Sequence, residues 1–158
     1  MIKLSLKPDG VWFNGDHPIF DQTEIGSFDI EDRKVLSFFI APVHPDELDA
    51  LRKKHTTVTH QTTFINRQRV SAPVEQLDAD KLFEDTIDRI VKNWKGFGDE
   101  NGNEHPCDRD TKIAVARAYS SLASAWIICS RDTQAEIDRQ QRESEKNLPT
   151  SPKDISGE

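Results

Sequence analysis

The spacing of apolar residues changes once along this 158-residue chain, and the change limits what it can fold into. Through residue 76, short apolar runs alternate with polar residues or stand between turn residues, the pattern of strands. From Asp80 the period becomes helical: Phe83, Ile87, Ile90, Val91 and Trp94 fall at i, i+4, i+7, i+8 and i+11, along one side of an α-helix. A β-rich segment followed by a helical one predicts an α+β fold.

The N-terminal part, residues 1–76, reads as a β-meander with one short helix. "IKLSL" alternates, "KPDG" turns, "VWF" resumes, "NGDHP" breaks the chain, and "FDI" and "VLSFFIA" continue it, the last as a buried central strand. "PDELDALRKKH" opens on Pro45 and acids and closes on cations, the order a helix prefers, with Leu48 and Leu51 as its contact face. "TTVTHQTTFI" is β-branched and reads as a strand with Val58 and Phe64 pointing inward. "RVSAPVEQLDAD" reads as the connection to the helical part.

That second part, residues 77–146, should hold two to three helices. Asp78 or Asp80 caps the first and Gly96 ends it. Asp108 caps a second containing Ile113, Val115 and Ala116. Ser120 or Ser121 interrupts it and caps a third, carrying Leu122, Ala123, Trp126, Ile127 and Cys129 and fading into an exposed end supported by pairs such as Asp138 with Arg142. Residues 147–158, with two prolines and little to bury, read as a disordered tail.

Composition narrows the function. A formal charge of −7, from 21 Lys and Arg against 28 Asp and Glu, disfavours a nucleic-acid binder, whose affinity comes from clustered cations on phosphates. The one basic cluster, Arg52 to His55, reads as a solvated helix end. The longest apolar run, Ala125 to Cys129, is far short of a membrane span, and "MIKLSLKPDG" carries no secretory pattern, so a soluble, cytoplasmic protein is expected. Two cysteines, Cys107 and Cys129, are too few for a disulfide framework and wrongly spaced for zinc.

Between the first two helices lies "NWKGFGDENGNEHPC", Asn93 to Cys107, dense in carboxylates, amides and glycines. An EF-hand loop needs glycine at its sixth position and Glu at its twelfth; counted from Asp99, Gly102 is fourth and Asp110 twelfth. A turn at Asn101-Gly102 accounts for the stretch better, since both residues tolerate positive φ. Its glycines follow a helix and lack the Gly-Lys-Ser/Thr ending of a phosphate loop. The five histidines form no metal-binding spacing, the serines no nucleophile elbow, and His105 beside Cys107 no recognisable pair. No catalytic, cofactor or metal residues are therefore assigned. The aromatic residues leave two readings open: Trp94, Phe97, Trp126 and Ile127 either fill the core or line a groove for a partner helix.

The segment "IVKNWKGFGDENGNEHPC", followed by an Asp-capped helix and another helix, resembles the tail assembly chaperones of long-tailed bacteriophages and prophages. In that family a helix ends in Trp-x-Gly and an aromatic or aliphatic residue, a D-x-x-G-N turn follows, and a polar residue, Pro and Cys, Phe or Tyr open the next helix. Trp94, Gly96, Asp99, Gly102, Asn103, Pro106 and Cys107 match residue by residue, and the match spans Asp80 to about Arg131. "FFIAPVHPDELDALRKKHT" is similar to the strand, proline turn and helix preceding this element in some members. The resemblance implies a non-enzymatic protein of the bacterial host cytoplasm that binds the tape measure protein, and tail tube subunits with it, without cofactor, nucleic acid or membrane. Two other expectations stand beside it: a structural tail or head-tail completion protein of the virion, and a metal-dependent enzyme.

Overall fold

The computed structural model describes residues 9–147 of the chain, with strands and helices in an α+β arrangement. Its first sheet joins strands far apart in sequence: β1 (Val11–Asn14), β2 (Ser37–Ile40) and β5 (Val91–Lys95), in the order β1-β2-β5, all antiparallel. Phe38 and Ile40 of the central β2 are completely buried, as the continuous apolar run predicts. The strand expected at "IKLSL" and the tail expected beyond Asn147 lie outside the described residues.

Between β1 and β2 the predicted meander gives way to something else. Pro18–Phe20 and Glu24–Ser27 are 3-10 turns, and "EDRK" forms most of a single short helix, α1 (Ile30–Lys34), so "FDI" is not a strand. The cause is Arg33, buried beneath the insertion, where its Nε donates to the Gly15 carbonyl at 2.8 Å and its Nη2 to Asp21 Oδ1 at 2.8 Å. A buried guanidinium must be paired and hydrogen-bonded, and the chain from Asn14 to Leu36 curls to supply those partners.

Helix α2 (Pro45–Lys54) forms where Pro45 and the cations place it, with His44 Nδ1 accepting from the Asp46 amide at 3.1 Å. Then come β3 (Thr56–Ile65) and β4 (Gln68–Leu77), paired over ten residues each. The segment expected to be a connection is thus the second strand of a hairpin. The turn is Asn66-Arg67, both with positive φ at 52° and 63°, the backbone of a tight two-residue hairpin turn. Val58 and Phe64 do not point into a core; they are 55% and 72% exposed, because the hairpin forms its own two-stranded sheet that no helix among the described residues covers.

The first long helix, α3 (Ala79–Ile90), is capped by Asp78 but ends six residues before Gly96, and Val91–Lys95 is β5. The helical spacing of Val91 and Trp94 has a specific origin. The register against β2 runs Phe38 to Trp94, Phe39 to Asn93, then Ile40 to Val91, skipping Lys92 in a bulge. One extra residue puts two side chains three apart on the same face of a strand, where they imitate a helix. Both are buried. The switch from helix to strand is held by Lys112, whose Nζ donates to the carbonyls of Asp88 at 3.1 Å and Val91 at 2.9 Å and pairs with Asp88 Oδ1 at 2.8 Å.

Helix α4 (Arg109–Ala118) is capped by Asp108, which accepts from the Thr111 amide at 2.8 Å. At Tyr119 the chain bends by 115° into α5 (Ser120–Lys146). No serine caps α5. Glu24, from the N-terminal turn, accepts from the amides of Ser121 at 3.1 Å and Leu122 at 2.9 Å. Trp126 of α5 lies on the first sheet, 5.3 Å between ring centroids from Phe38, and Phe20, Ile87, Trp94 and Leu122 belong to the same cluster. The described residues on both sides of the boundary expected at 76/77 therefore contribute to one core. The exposed end of α5 is laced by Arg139 with Glu136 and Glu143, and Asp138 pairs with Gln134 rather than Arg142.

Candidate interaction surface

The connector from Gly96 to Cys107 folds back on itself. Asp99 and Asn103 face each other, with the Asp99 amide donating to the Asn103 carbonyl at 2.9 Å and the Gly102 amide to the Asp99 carbonyl at 3.1 Å. Gly102 has φ +81°, the left-handed residue that closes such a turn. The Asp99 carboxylate accepts from the amides of Asn103 and Asn101, both at 2.9 Å, and these bonds hold it below the usual carboxylate range. Its oxygens thus serve the turn itself. Among the described residues no group of three or more His, Cys, Asp or Glu side chains is arranged to hold a metal ion.

The rest of the connector ties the turn to the core. The His105 amide donates to the Phe97 carbonyl at 2.8 Å, and Trp94 Nε1 donates to the His105 carbonyl at 2.8 Å. Gly96, at φ +72°, is where β5 leaves the sheet, and a Cβ there would collide with the Val35 carbonyl. It ends a strand instead of the predicted helix. Cys107 is half-buried, and that burial pushes its thiol up, away from the thiolate a nucleophile needs. Cys129, fully buried, is pushed up to about 12.

The four predicted partner residues do not share a surface. Trp94 and Trp126 are buried, with their rings 6.4 Å apart, so they belong to the core and are not available to a partner. They sit where the sheet meets α5. Phe97 and Ile127 are half-buried and line separate depressions. Ile127 faces a small one of about 170 Å³ beside Leu48 and Leu82. Phe97 lines an apolar groove of about 480 Å³, with Ile25, Phe28, Val115, Tyr119 and Leu122.

Two residues of this groove were not legible as such in the sequence. Phe28, 60% exposed, follows a 3-10 turn, and Tyr119, 43% exposed, occupies the bend between α4 and α5. Glu24 brings their segments together by capping α5 across 98 positions to Leu122. Burial pushes the Glu24 carboxyl up, but the amides of Glu24, Ser121 and Leu122 outweigh it and leave the group below its ordinary value. An ionised cap therefore fixes one wall of the groove.

The basic cluster of α2 turns inward in part. Lys54 Nζ and His55 Nε2 reach Asp85 Oδ2 at 3.3 Å and 2.6 Å, and Arg109 Nη2 reaches Asp85 Oδ1 at 2.8 Å, joining α2, α3 and α4. Hydrogen bonds from His55 and then Arg109 hold the Asp85 carboxyl well below the usual range. Among the described residues no single helix is long and apolar enough to cross a membrane. Comparison of the chain with protein-family models, curated proteins and solved structures finds no match.

Proposed function

We propose that the chain is a tail assembly chaperone of a long-tailed bacteriophage or prophage, a non-enzymatic protein that binds the tape measure protein and assists tail tube assembly in the host cytoplasm. The observation that carries the reading is the connector. The motif residues that set its backbone divide the mechanical work: Gly96 turns the chain out of β5, Asp99 and Gly102 close the turn, and Trp94 anchors it through His105. The same connector presents Phe97 to the groove, so the motif and the apolar surface are one unit.

An amphipathic client helix suits that groove, laying apolar side chains at i, i+3 and i+4 against Phe97, Phe28 and Tyr119. The patch is small, which favours release, while a net charge of −7 keeps the loaded chaperone in solution. Co-expression with the tape measure protein of the same genome tests the reading. The client is expected to be soluble and to co-purify with the chain, and Phe28→Asp, a change at an exposed position, is expected to abolish co-purification. A client equally soluble alone, with no co-purification, removes the proposal. Stoichiometric recovery of the chain from purified particles by mass spectrometry replaces it with a structural virion role.

A further inference from the structure

Among the described residues β3 and β4 form a sheet of two, so each leaves one edge without a neighbouring strand there, and the edges differ. With a two-residue turn, Ile65 and Gln68 exchange both backbone hydrogen bonds, and bonding then alternates along the ladder. The amides and carbonyls of Phe64, Thr62, His60, Val58 and Thr56 consequently point outward from β3. The outward set of β4 contains Pro73, opposite His60, whose missing N–H interrupts that edge, and Arg69 and Glu75 charge it. Strand β3 has neither device. Its ten residues, TTVTHQTTFI, include no Lys, Arg, Asp or Glu, in a chain that is 31% charged.

We propose that the outer edge of β3 is an interface with a second copy of this chain, the two β3 strands pairing antiparallel about a two-fold axis at Gln61 into a four-stranded sheet, β4-β3-β3-β4. Antiparallel pairing must set outward residues against outward residues, and an axis at Gln61 does so. It places Val58 opposite the partner's Phe64, and Phe64 opposite the partner's Val58. Aromatic against β-branched is a stabilising cross-strand pair, and it brings together two large apolar side chains that the hairpin leaves exposed. Two copies carrying −7 each repel over most of their surfaces, and β3 is where they can meet without opposing charges. An isolated two-stranded hairpin is marginal in water, whereas four strands with paired apolar residues are not. A foreign strand would have to bring this complement from outside; the chain supplies it to itself.

The test needs only the full chain, so its failure leaves the client-binding reading untouched. Sedimentation is expected to give a dimer mass for the wild type. Thr62→Pro removes one outward N–H while sparing the bonds to β4, and it is expected to halve the mass without changing the thermal melt of the helices. Gln61→Cys, facing its own counterpart, is expected to form a disulfide-linked dimer with oxidised glutathione, whereas Gln68→Cys on β4 is not. Should Thr62→Pro disturb the hairpin, exposed side chains give the same answer: Val58→Lys with Phe64→Lys is expected to separate the copies, and Val58→Lys with Phe64→Glu to rejoin them. A wild type at monomer mass overturns the proposal. So does a dimer that persists through Thr62→Pro and the double-lysine variant, or one lost only when residues 1–8 are removed.

Discussion

Strands β2 and β3 draw on the same kinds of residue, β-branched and aromatic, and come to rest in opposite environments. In β2, Phe38 and Ile40 are sealed between neighbouring strands and α5. In β3, Val58 and Phe64 are more than half exposed, because the hairpin lies beneath no helix of the described residues. Strand propensity thus describes fitness for a pleated surface, and burial is decided separately by what the topology brings to cover it. The difference divides the molecule into a body held by its core and an arm held by its own ladder.

The largest expected effect lies at the centre of the body. Trp126→Ala should cost about 3–5 kcal/mol in urea denaturation, the range for emptying a buried aromatic site. Phe64→Ala, in the monomeric Thr62→Pro background, should cost under about 0.5 kcal/mol, as exposed substitutions do. Equal losses would abolish the distinction between body and arm.

The connector offers a finer comparison, between two glycines that both have positive φ. Gly96→Ala drives a methyl into the Val35 carbonyl as well as straining the backbone, and should cost about 3 kcal/mol. Gly102→Ala meets open space and should cost only the left-handed penalty, about 1 kcal/mol. Chemical denaturation of the two variants separates the cases, and similar values would mean that the approach of Gly96 to α1 and β2 contributes nothing.

Asp85→Asn should cost about 2 kcal/mol near neutral pH, since hydrogen bonds to a charged group are lost. The sign with pH follows from its lowered carboxyl: the wild-type advantage is complete above the unfolded value of about 4 and shrinks as pH falls below it toward the folded value. Stability curves of both proteins from neutral pH down to acid read this directly, and a constant gap contradicts it. In the arm, Arg67→Gly should stabilise the hairpin by about 0.5–1 kcal/mol, because Arg67 holds a φ of 63° that glycine adopts without strain. Slower amide exchange along β3 and β4 is the measurement, with faster exchange as the contrary result.

What was readable in the sequence followed local chemistry. Asp78 and Asp108 fix helix starts through bonds within three residues, Pro45 fixes one through its constrained φ, and Gly102 fixes the connector turn. What was missed depends on distant partners. Val91 and Trp94 look helical until a bulge at Lys92, made against β2, turns both inward. Pro73 and Glu75 make β4 resemble a loop, yet they are what an exposed edge strand carries. The groove is not legible in the sequence because Phe28 and Tyr119 are remote along the chain and line one surface only once Glu24 and Ile25 have packed against the start of α5. Of the two readings open for Trp94 and Trp126 the core holds, and the sequence does not separate them because an indole that fills a core looks the same there as one that binds a client.

The capping of α5 by Glu24 also sets an order of events during synthesis. Glu24 leaves the ribosome long before Ser121, so the cap waits for its helix. Until α5 arrives, Phe38, which packs on Phe20, lacks the Trp126 indole against its ring, and a nascent chain halted at Ala118 leaves that aromatic face open. The hairpin closes through neighbouring residues and can form much earlier. The partners of the arm are thus all present while the body still lacks α5, and its closure awaits no distant segment.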